Sequence, residues 1–409
     1  MRQWKSLFSN RLPPNLAPNR LARAIERMRA ERRPIVDLTQ SNPTTAGFAY
    51  PADLLAPLAS SRALIYEPYP FGSFDARRAV SADYARRGVH VAPERIVLTA
   101  STSEAYTLMF KLLADPGDEV LVPRPSYPLF DHLTRLDAVV ARPYDLEYHV
   151  GWSIDIGSVE RAITRGTRAL LVVTPNNPTG SFLKEAELDA IASLCAERHI
   201  ALVSDEVFAD YELEPGAALS AGRVLDRKEV LAFALGGLSK SAGLPQVKLG
   251  WIAVGGPDAL VDAAMRRLEL ECDTYLSVST PVQAAAAELL DRAPLIRAQV
   301  QQRVRANYQT LGSLTAAAPA CRVLKSEGGW YGVVQVPSIQ SEEDLVLDLL
   351  ENDGLLTHPG YFFDFPREAY LIVSLLAPER VFSDAIGCIV RHFDCTAGLR
   401  GHSPDRRGR

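Results

Sequence analysis

The chain is poor in cysteine and has no long apolar run. Its five cysteines are scattered, and none forms a C-x-x-C pair. An odd, scattered set is typical of a reduced protein, so we expect a cytoplasmic location. The N-terminal MRQWKSLFSNRLPP lacks the apolar core of a secretory signal. No run reaches the roughly 18 apolar residues of a membrane span, so we expect no membrane partner.

The chain also lacks an excess of positive charge. Its 44 Lys and Arg residues are outnumbered by 49 Asp and Glu residues, which gives a formal net charge of -5. A nucleic-acid partner is therefore not expected, because it would call for a basic stripe. With 409 residues, 47% of them hydrophobic, the chain can bury a sizeable core in two or three domains, or in one large and one smaller domain.

What the sequence does contain is an alternation of strand-like and helix-like stretches from about residue 95. Short apolar runs alternate with amphipathic stretches, one of which opens with Ser101 and Glu104 at capping-box spacing. This alternation predicts an α/β fold, a mainly parallel seven-stranded sheet covered by helices. The runs that predict the strands are RIVLTA, EVLVPR, AVVARPY, RALLVVTP, IALVSDEV, VLAFALG and VKLGWIAV.

The rhythm changes after about residue 257, where long helical stretches lead to GGWYGVVQVP and a smaller α+β unit. We predict an N-terminal arm with part of the small domain (residues 1–50), a large cofactor-binding domain (51–285) and a C-terminal small domain (286–409). Near the end, Cys388, His392 and Cys395 share a segment of apolar residues at helical spacing, which favours a packed helix over a metal site.

Polar residues follow several of the predicted strands, at the edge where open parallel sheets bind ligands. Each of these residues also has an ordinary structural explanation. The hydroxyls at 101–103 can be a plain N-cap, Tyr127 an aromatic residue at a turn, Asn177 part of a simple turn, and Lys240 a surface charge. A buried acid after a strand needs a positive partner, and a protonated pyridine nitrogen is one. In chain order these residues are Ser101, Thr102 and Ser103, then Tyr127, Asn177, Asp205 and Lys240.

Lys240 stands among small residues in GLSKSAGL. A nucleotide-triphosphate loop requires glycine directly before its lysine, and Ser239 fills that position. A lysine that forms an imine with a cofactor aldehyde needs small neighbours, because a flat ring must approach it. With the hydroxyls at a helix start, the aromatic ring, the amide and the acid, Lys240 completes a set that suits pyridoxal phosphate.

These motifs also resemble a known family. TASTSEAY, PRPSYP, TPNNPTG, SDEVF, GLSKSAGL and THPGYFF occur in the order found in fold-type I pyridoxal-phosphate enzymes of the class I/II aminotransferase group, and the resemblance covers nearly the whole chain. It implies an aminotransferase that moves an amino group between an amino acid, or another amine, and a keto acid. A lyase, decarboxylase or racemase on the same fold is the alternative.

The resemblance implies a role for each matched position. Lys240 would bond the cofactor and move a proton, Asp205 would pair with the pyridinium, Asn177 would contact the ring 3-oxygen, and Tyr127 would stack on the ring. Such enzymes are usually homodimers with shared sites. The other residues expected to bind the cofactor are Ser101, Thr102, Ser103, Ser239 and Lys248, with Tyr66 or Tyr69 reaching the partner subunit's phosphate.

Four positions depart from the family pattern. Lys248 and Gly237 replace an arginine and a serine, and Phe208 replaces a tyrosine that would contact the ring 3-oxygen. Ile372 stands where the family has an arginine that binds the substrate carboxylate through two hydrogen bonds. No apolar residue can make this bidentate contact.

Three interpretations of Ile372 stay open. In the first, the match to the family pattern is displaced along the chain, and Arg367 or Arg380 binds the substrate carboxylate. In the second, another basic residue or backbone N–H groups bind it. In the third, the amino donor is not a simple α-amino acid. Trp330, Tyr331, Phe362 and Phe363 form either part of an aromatic site wall or core.

Overall fold

A computed structural model describes residues 8–400, with the side chains of residue 220 and residues 394–400 left out. The first seven residues of the predicted arm, residues 401–409 and the side chain of Cys395 therefore lie outside the described residues. The helices are α1 (Arg20–Ala30), α2 (Phe74–Arg86), α3 (Thr102–Leu113), α4 (Phe130–Leu136), α5 (Ile156–Ala162), α6 (Glu185–Arg198), α7 (Leu238–Ser241), α8 (Asp258–Tyr275), α9 (Thr280–Ala316), α10 (Glu342–Asp353) and α11 (Glu379–Arg400).

The strands fall into one large and two smaller sheets. They are β1 (Val36–Asp37), β2 (Ile96–Thr99), β3 (Glu119–Arg124), β4 (Val140–Tyr148), β5 (Trp152–Ile154), β6 (Thr167–Val173), β7 (Ala201–Asp205), β8 (Ala232–Gly237), β9 (Gly250–Gly255), β10 (Arg322–Leu324), β11 (Tyr331–Gln335), β12 (Leu355–Leu356), β13 (His358–Pro359) and β14 (Tyr370–Ser374).

The large sheet has the order β2-β9-β8-β7-β6-β3-β4-β5. The five strands from β8 to β4 in this order are parallel, whereas β9 runs antiparallel to both of its neighbours. The mainly parallel α/β sheet is therefore confirmed, and all seven predicted runs form strands. The strand number was wrong by one, because β5 adds an antiparallel hairpin partner to β4. With only three residues, β5 is too short to show an alternating pattern.

The large sheet is buried on both faces. Along β6, Leu170 and Val172 pack into one core, and Leu171 and Val173 pack into the other. This alternation follows from the two-residue period of a strand, and helices cover each face. The carboxyl ends of the parallel strands are thereby left as the open edge of the sheet.

The C-terminal part of the chain builds a separate antiparallel sheet with the order β10-β11-β14-β13. The N-terminal β1 pairs in parallel with β12, so the first described segment packs beside this smaller α+β unit. The exact domain boundaries stay a prediction.

The 37-residue helix α9 links the two parts. Its Arg297 donates from Nε to the backbone oxygen of Ser241, at 2.8 Å. Nearly three turns later, Asn307 donates from Nδ2 to the backbone oxygens of Leu375 and Ala377, both at 2.8 Å. One helix therefore holds both the Lys240 segment and the end of β14. Within the described part of the chain, no helix is long and apolar enough to cross a membrane.

Candidate active site

A cavity of about 140 Å³ lies at the carboxyl ends of the parallel strands. It is the place where the strand-end argument predicts a ligand. The predicted residues that line it are Thr102, Ser103, Tyr127, Asn177, Asp205, Ser239 and Lys240. Residues from five separate segments of the chain thus meet at one place.

Four other predicted residues do not line this cavity. Ser101 is the N-cap of α3, where its Oγ accepts from the backbone N–H of Glu104 at 3.1 Å. Lys248 has an exposed side chain and a backbone φ of 60°. Tyr66 and Tyr69 are 68% and 50% exposed and lie on the surface. The predicted cofactor contacts of these four residues stay predictions.

Asp205 ends β7 and is 7% exposed. Its Oδ2 accepts from the hydroxyl of Tyr106 at 2.8 Å, and its Oδ1 accepts from the backbone N–H of Val207 at 3.1 Å. Burial raises the pKa of Asp205, while these two hydrogen bonds and the charge of Lys240 oppose that rise. A buried carboxyl in this state favours a cationic ligand.

Lys240 lies in α7, a four-residue helix between β8 and the glycine-rich turn. Its backbone oxygen accepts from the hydroxyl of Tyr211 at 2.5 Å. Its Nζ lies 5.1 Å from the ring centroid of Trp330 and 5.8 Å from that of Phe208. Burial lowers the pKa of Lys240 to about 8, and the charge of Asp205 opposes this shift. A nitrogen that gives up its proton near neutral pH can act as a nucleophile and as a base.

Two adjacent asparagines have different surroundings. Asn176 is fully engaged, because its Nδ2 donates to Pro125 and Thr179 and its Oδ1 accepts from Ser126. Asn177 is 8% exposed, yet its Oδ1 has no hydrogen-bond partner. A buried polar atom left unpaired is costly, so the Asn177 amide is a group prepared for a ligand.

The start of α3 can cradle a phosphate. Thr102 is its first residue, and its free backbone N–H groups and hydroxyls face the cavity end of the sheet. A Cβ added to Gly250 would lie 2.9 Å from the carbonyl carbon of Ser101 and 3.1 Å from the backbone nitrogen of Thr102. Glycine at position 250 therefore lets β9 lie directly against the cradle.

These features fit pyridoxal phosphate. The cavity offers an amine to its aldehyde (Lys240), an acid to its ring nitrogen (Asp205), an unpaired amide to its ring oxygen (Asn177) and a helix start to its phosphate (Thr102). The orphaned Oδ1 of Asn177 is an acceptor and calls for a donor group on a bound molecule, whereas the Nδ2 of the same amide is the atom that can donate to the ring oxygen. Among the side chains that the structure describes, up to residue 393, no group of three or more His, Cys, Asp or Glu residues could hold a metal ion.

The surroundings of Ile372 are neutral, and this residue does not line the cavity. This residue is fully buried in β14, opposite Val333 on one side and His358 on the other. Burial lowers the pKa of His358 to about 4, so its ring carries no charge at neutral pH. Arg367 and Arg380 are exposed, and neither of them lines the cavity.

Sequence reasoning missed several residues that shape the site. Tyr106 was not among the predicted site residues, although it stands one turn after Thr102 on α3 and so lines the cavity. Ser41 lines the cavity from the N-terminal segment, and no local pattern marks it. Tyr211 and Arg297 act on the backbone of the Lys240 segment, which side-chain motifs cannot reveal.

Known proteins resemble this chain over most of its length. The profile of the family described as "Aminotransferase class I and II" matches residues 52–378. An alanine aminotransferase of Mycobacterium tuberculosis is 28% identical over 377 residues, which cover 88% of this chain and 86% of that protein. Human tyrosine aminotransferase is 25% identical over 404 residues, covering 93% and 87%. The crystal structure of an aminotransferase from Escherichia coli superposes with a TM-score of 0.84 at 23% identity, covering 95% and 98%.

Proposed function

The chain belongs to the class I and II aminotransferase family, and we propose that its reaction takes place in the cavity around Lys240, between an amino acid or another primary amine and a keto acid. The protein is a pyridoxal-phosphate-dependent aminotransferase of fold type I. The comparisons favour this activity over a lyase or decarboxylase. The observation that carries our placement of the reaction is the buried Lys240 amine, whose pKa of about 8 lies close to neutral pH.

We assign the cofactor contacts to residues that line the cavity. Thr102, Ser103 and the start of α3 would hold the phosphate, Tyr127 would lie against the ring, and Asn177 would donate to its oxygen. When bound, pyridoxal phosphate supplies an electron sink for negative charge that develops on a substrate carbon. The Asp205 carboxylate would keep the ring nitrogen protonated, since the charge of each buried partner would compensate the other.

Lys240 then serves as the proton carrier. Its Nζ would take the proton from the α-carbon of the donor and deliver it to the former aldehyde carbon of the cofactor, and it would move a proton in the reverse direction in the half-reaction with the keto acid. A pKa of about 8 suits both directions, because neither protonation state is strongly favoured at neutral pH. The neutral groups at Ile372 and His358 leave the donor's carboxylate, where it has one, to be held by groups other than an arginine of β14.

We also propose that the enzyme is a homodimer in the cytoplasm. A surface of large apolar side chains next to the cavity end of the sheet supports the dimer, because such patches usually mark protein contacts. Leu64 and Ile65 are 86% and 65% exposed, and Tyr66 and Tyr69 adjoin them. On this proposal one of the two tyrosines reaches the phosphate in the second copy of this chain.

The test uses the purified full chain loaded with pyridoxal phosphate and mixed with three sets of donors: α-amino acids, ω-amino acids and amines without a carboxylate. Loss of the lysine-bound absorption band, together with release of the matching carbonyl compound, shows transfer. Transfer with α-amino acids would mean that other groups replace the missing arginine. Transfer only with the other two sets would mean that Ile372 marks a changed donor class.

Lys240→Ala serves as the control. We expect this variant to take up the cofactor without the lysine-bound band and to transfer no amino group. Normal turnover by Lys240→Ala would contradict the placement of the reaction at this residue.

A further inference from the structure

The amine of Lys240 has aromatic faces rather than oxygen atoms beside it. Trp330 is 1% exposed and packs against Phe208 with ring centroids 5.2 Å apart and an interplanar angle of 68°. The Lys240 Nζ lies within 6 Å of both ring centroids, a distance at which a cation is attracted to an aromatic face. The two rings therefore form a corner around the nitrogen.

The corner is built from distant parts of the chain. Trp330 directly precedes β11 of the smaller antiparallel sheet, whereas Phe208 follows β7 of the large sheet. Tyr211 contacts both halves, because its ring lies 5.1 Å from that of Trp330 and its hydroxyl donates to the backbone oxygen of Lys240. Packing, and not a local motif, brings the indole to the lysine.

No hydrogen bond fixes the indole. Its Nε1 is buried and has no acceptor, so the orientation of Trp330 results from ring packing alone. An unpaired buried N–H is costly, and smaller apolar residues would avoid that cost. The buried Nε1 of Trp152 and that of Trp251 also lack partners, so what distinguishes Trp330 is the position of its face beside the Lys240 amine.

We propose that the faces of Trp330 and Phe208 form a seat for the Lys240 ammonium whenever this nitrogen is not bonded to the cofactor. Trp330 is then a positioning residue, and the seat rests on the proposed role of Lys240. An aromatic face attracts a cation but cannot accept its proton, so the proton stays available for transfer to the substrate. This proposal gives a role to Phe208, which replaces a tyrosine of the family pattern: its ring supplies one of the two aromatic faces.

Few other charges act on the seat. Among the described residues that line the cavity, Asp205 and Lys240 are the only ones with ionisable acidic or basic groups other than phenols. The phenols facing Lys240 belong to Tyr106, Tyr127, Tyr211 and Tyr331, and burial raises the pKa of all four. They therefore stay neutral while Lys240 titrates, and Asp205 is the one neighbour whose charge must be accounted for.

The test replaces Trp330 with fluorinated tryptophans, which keep the shape of the indole while each added fluorine makes its face less negative. The full chain without cofactor is treated with formaldehyde and borohydride across pH 6 to 11, and methylation of Lys240 is followed by mass spectrometry. We expect the pH midpoint of methylation to fall with the number of fluorines, by up to roughly one pH unit. The exposed Lys248 in the same digest provides an internal reference.

Fluorination of Trp152 is the matched control. This indole is also buried, but it packs against Tyr148 and Phe365, and we expect no change in the Lys240 midpoint. A midpoint that does not depend on fluorination at position 330 would overturn the seat. So would an equal shift from position 152. Neither result would alter the cofactor uptake of the unmodified enzyme, so failure of the seat can be told apart from failure of the proposed function.

Discussion

The two sides of the Lys240 segment differ sharply. On the side-chain side, the amine, the Asp205 carboxyl and the Asn177 amide are buried with few partners. On the backbone side, Tyr211, Arg297 and Tyr50 donate to the backbone oxygens of Lys240, Ser241 and Gly243. The side chains of the cavity thus keep hydrogen-bonding capacity for a ligand, whereas hydrogen bonds fix the backbone of the Lys240 segment.

On the backbone side of the Lys240 segment, two arginines are paired with two buried aspartates. Arg297 and Arg86 both contact Asp83 and Asp210, at distances from 2.6 to 3.7 Å. The two carboxylate side chains are almost completely buried. Buried charges are tolerated when they are paired, and the pairing here is double. Removal of one member should therefore cost stability, whereas removal of a charge from the cavity side should increase it.

The largest effect is expected for Lys240→Met. Amino transfer should be lost, yet the chain without cofactor should gain on the order of 3 kcal/mol in unfolding free energy at pH 7. In the wild type, the unfolded chain keeps the lysine proton up to about pH 10.5, while the folded chain releases it near pH 8. The gain should thus be complete below pH 8 and vanish above pH 10.5, as urea unfolding at several pH values will show.

A gain that did not change with pH would contradict this account of Lys240→Met. The cavity side would then not be the electrostatically costly side of the segment.

Arg297→Met tests the backbone side. Loss of the guanidinium leaves Asp83 and Asp210 with Arg86 alone, and we expect the unfolding free energy to fall by about 3 kcal/mol. Arg161→Met is the control, because Arg161 pairs with Asp155 on the surface with its side chain 70% exposed. We expect the control to cost less than about 1 kcal/mol. Equal losses of unfolding free energy in Arg297→Met and Arg161→Met would contradict the stabilising role of the buried ion pairs on the backbone side.

The smallest effect is expected for Tyr106→Phe, which removes one hydrogen bond from Asp205. Such a bond to a charged group is worth about 1.5 kcal/mol, so affinity for pyridoxal phosphate should fall roughly tenfold. Tyr144→Phe removes a comparable buried hydroxyl, which donates to Leu171 outside the cavity. Equilibrium dialysis should show unchanged cofactor affinity for Tyr144→Phe, and a similar loss in both variants would contradict the role of Tyr106.

The sequence predicted the parts of the molecule that depend on local pattern. Short apolar runs predicted all seven of these strands, although β4 is largely exposed, and the parallel arrangement then brought Asn177, Asp205 and Lys240 to one edge. The three-residue β5 carries too little pattern to be recognised. The hydroxyl of Ser101 caps α3, and its predicted contact with the phosphate stays a prediction.

Other contacts depend on packing between distant segments. Trp330 reaches Lys240 only because the smaller sheet lies against the large one, and no spacing in the chain encodes that approach. The same is true of Arg297, whose partner is a backbone oxygen. Tyr66 and Tyr69 are expected to act on a second copy of the chain, so one chain alone cannot test them.

Helix α9 has a practical meaning for anyone who builds chimeras of this enzyme. Arg297 and Asn307 lie ten residues apart on it, a rise of about 15 Å, and they fix the lysine segment and the end of β14 respectively. A β14 segment grafted from a relative will keep its position relative to the Lys240 segment only if this interval is kept. An insertion or deletion between the two residues would put a well-folded graft out of register with the chemistry it is meant to redirect.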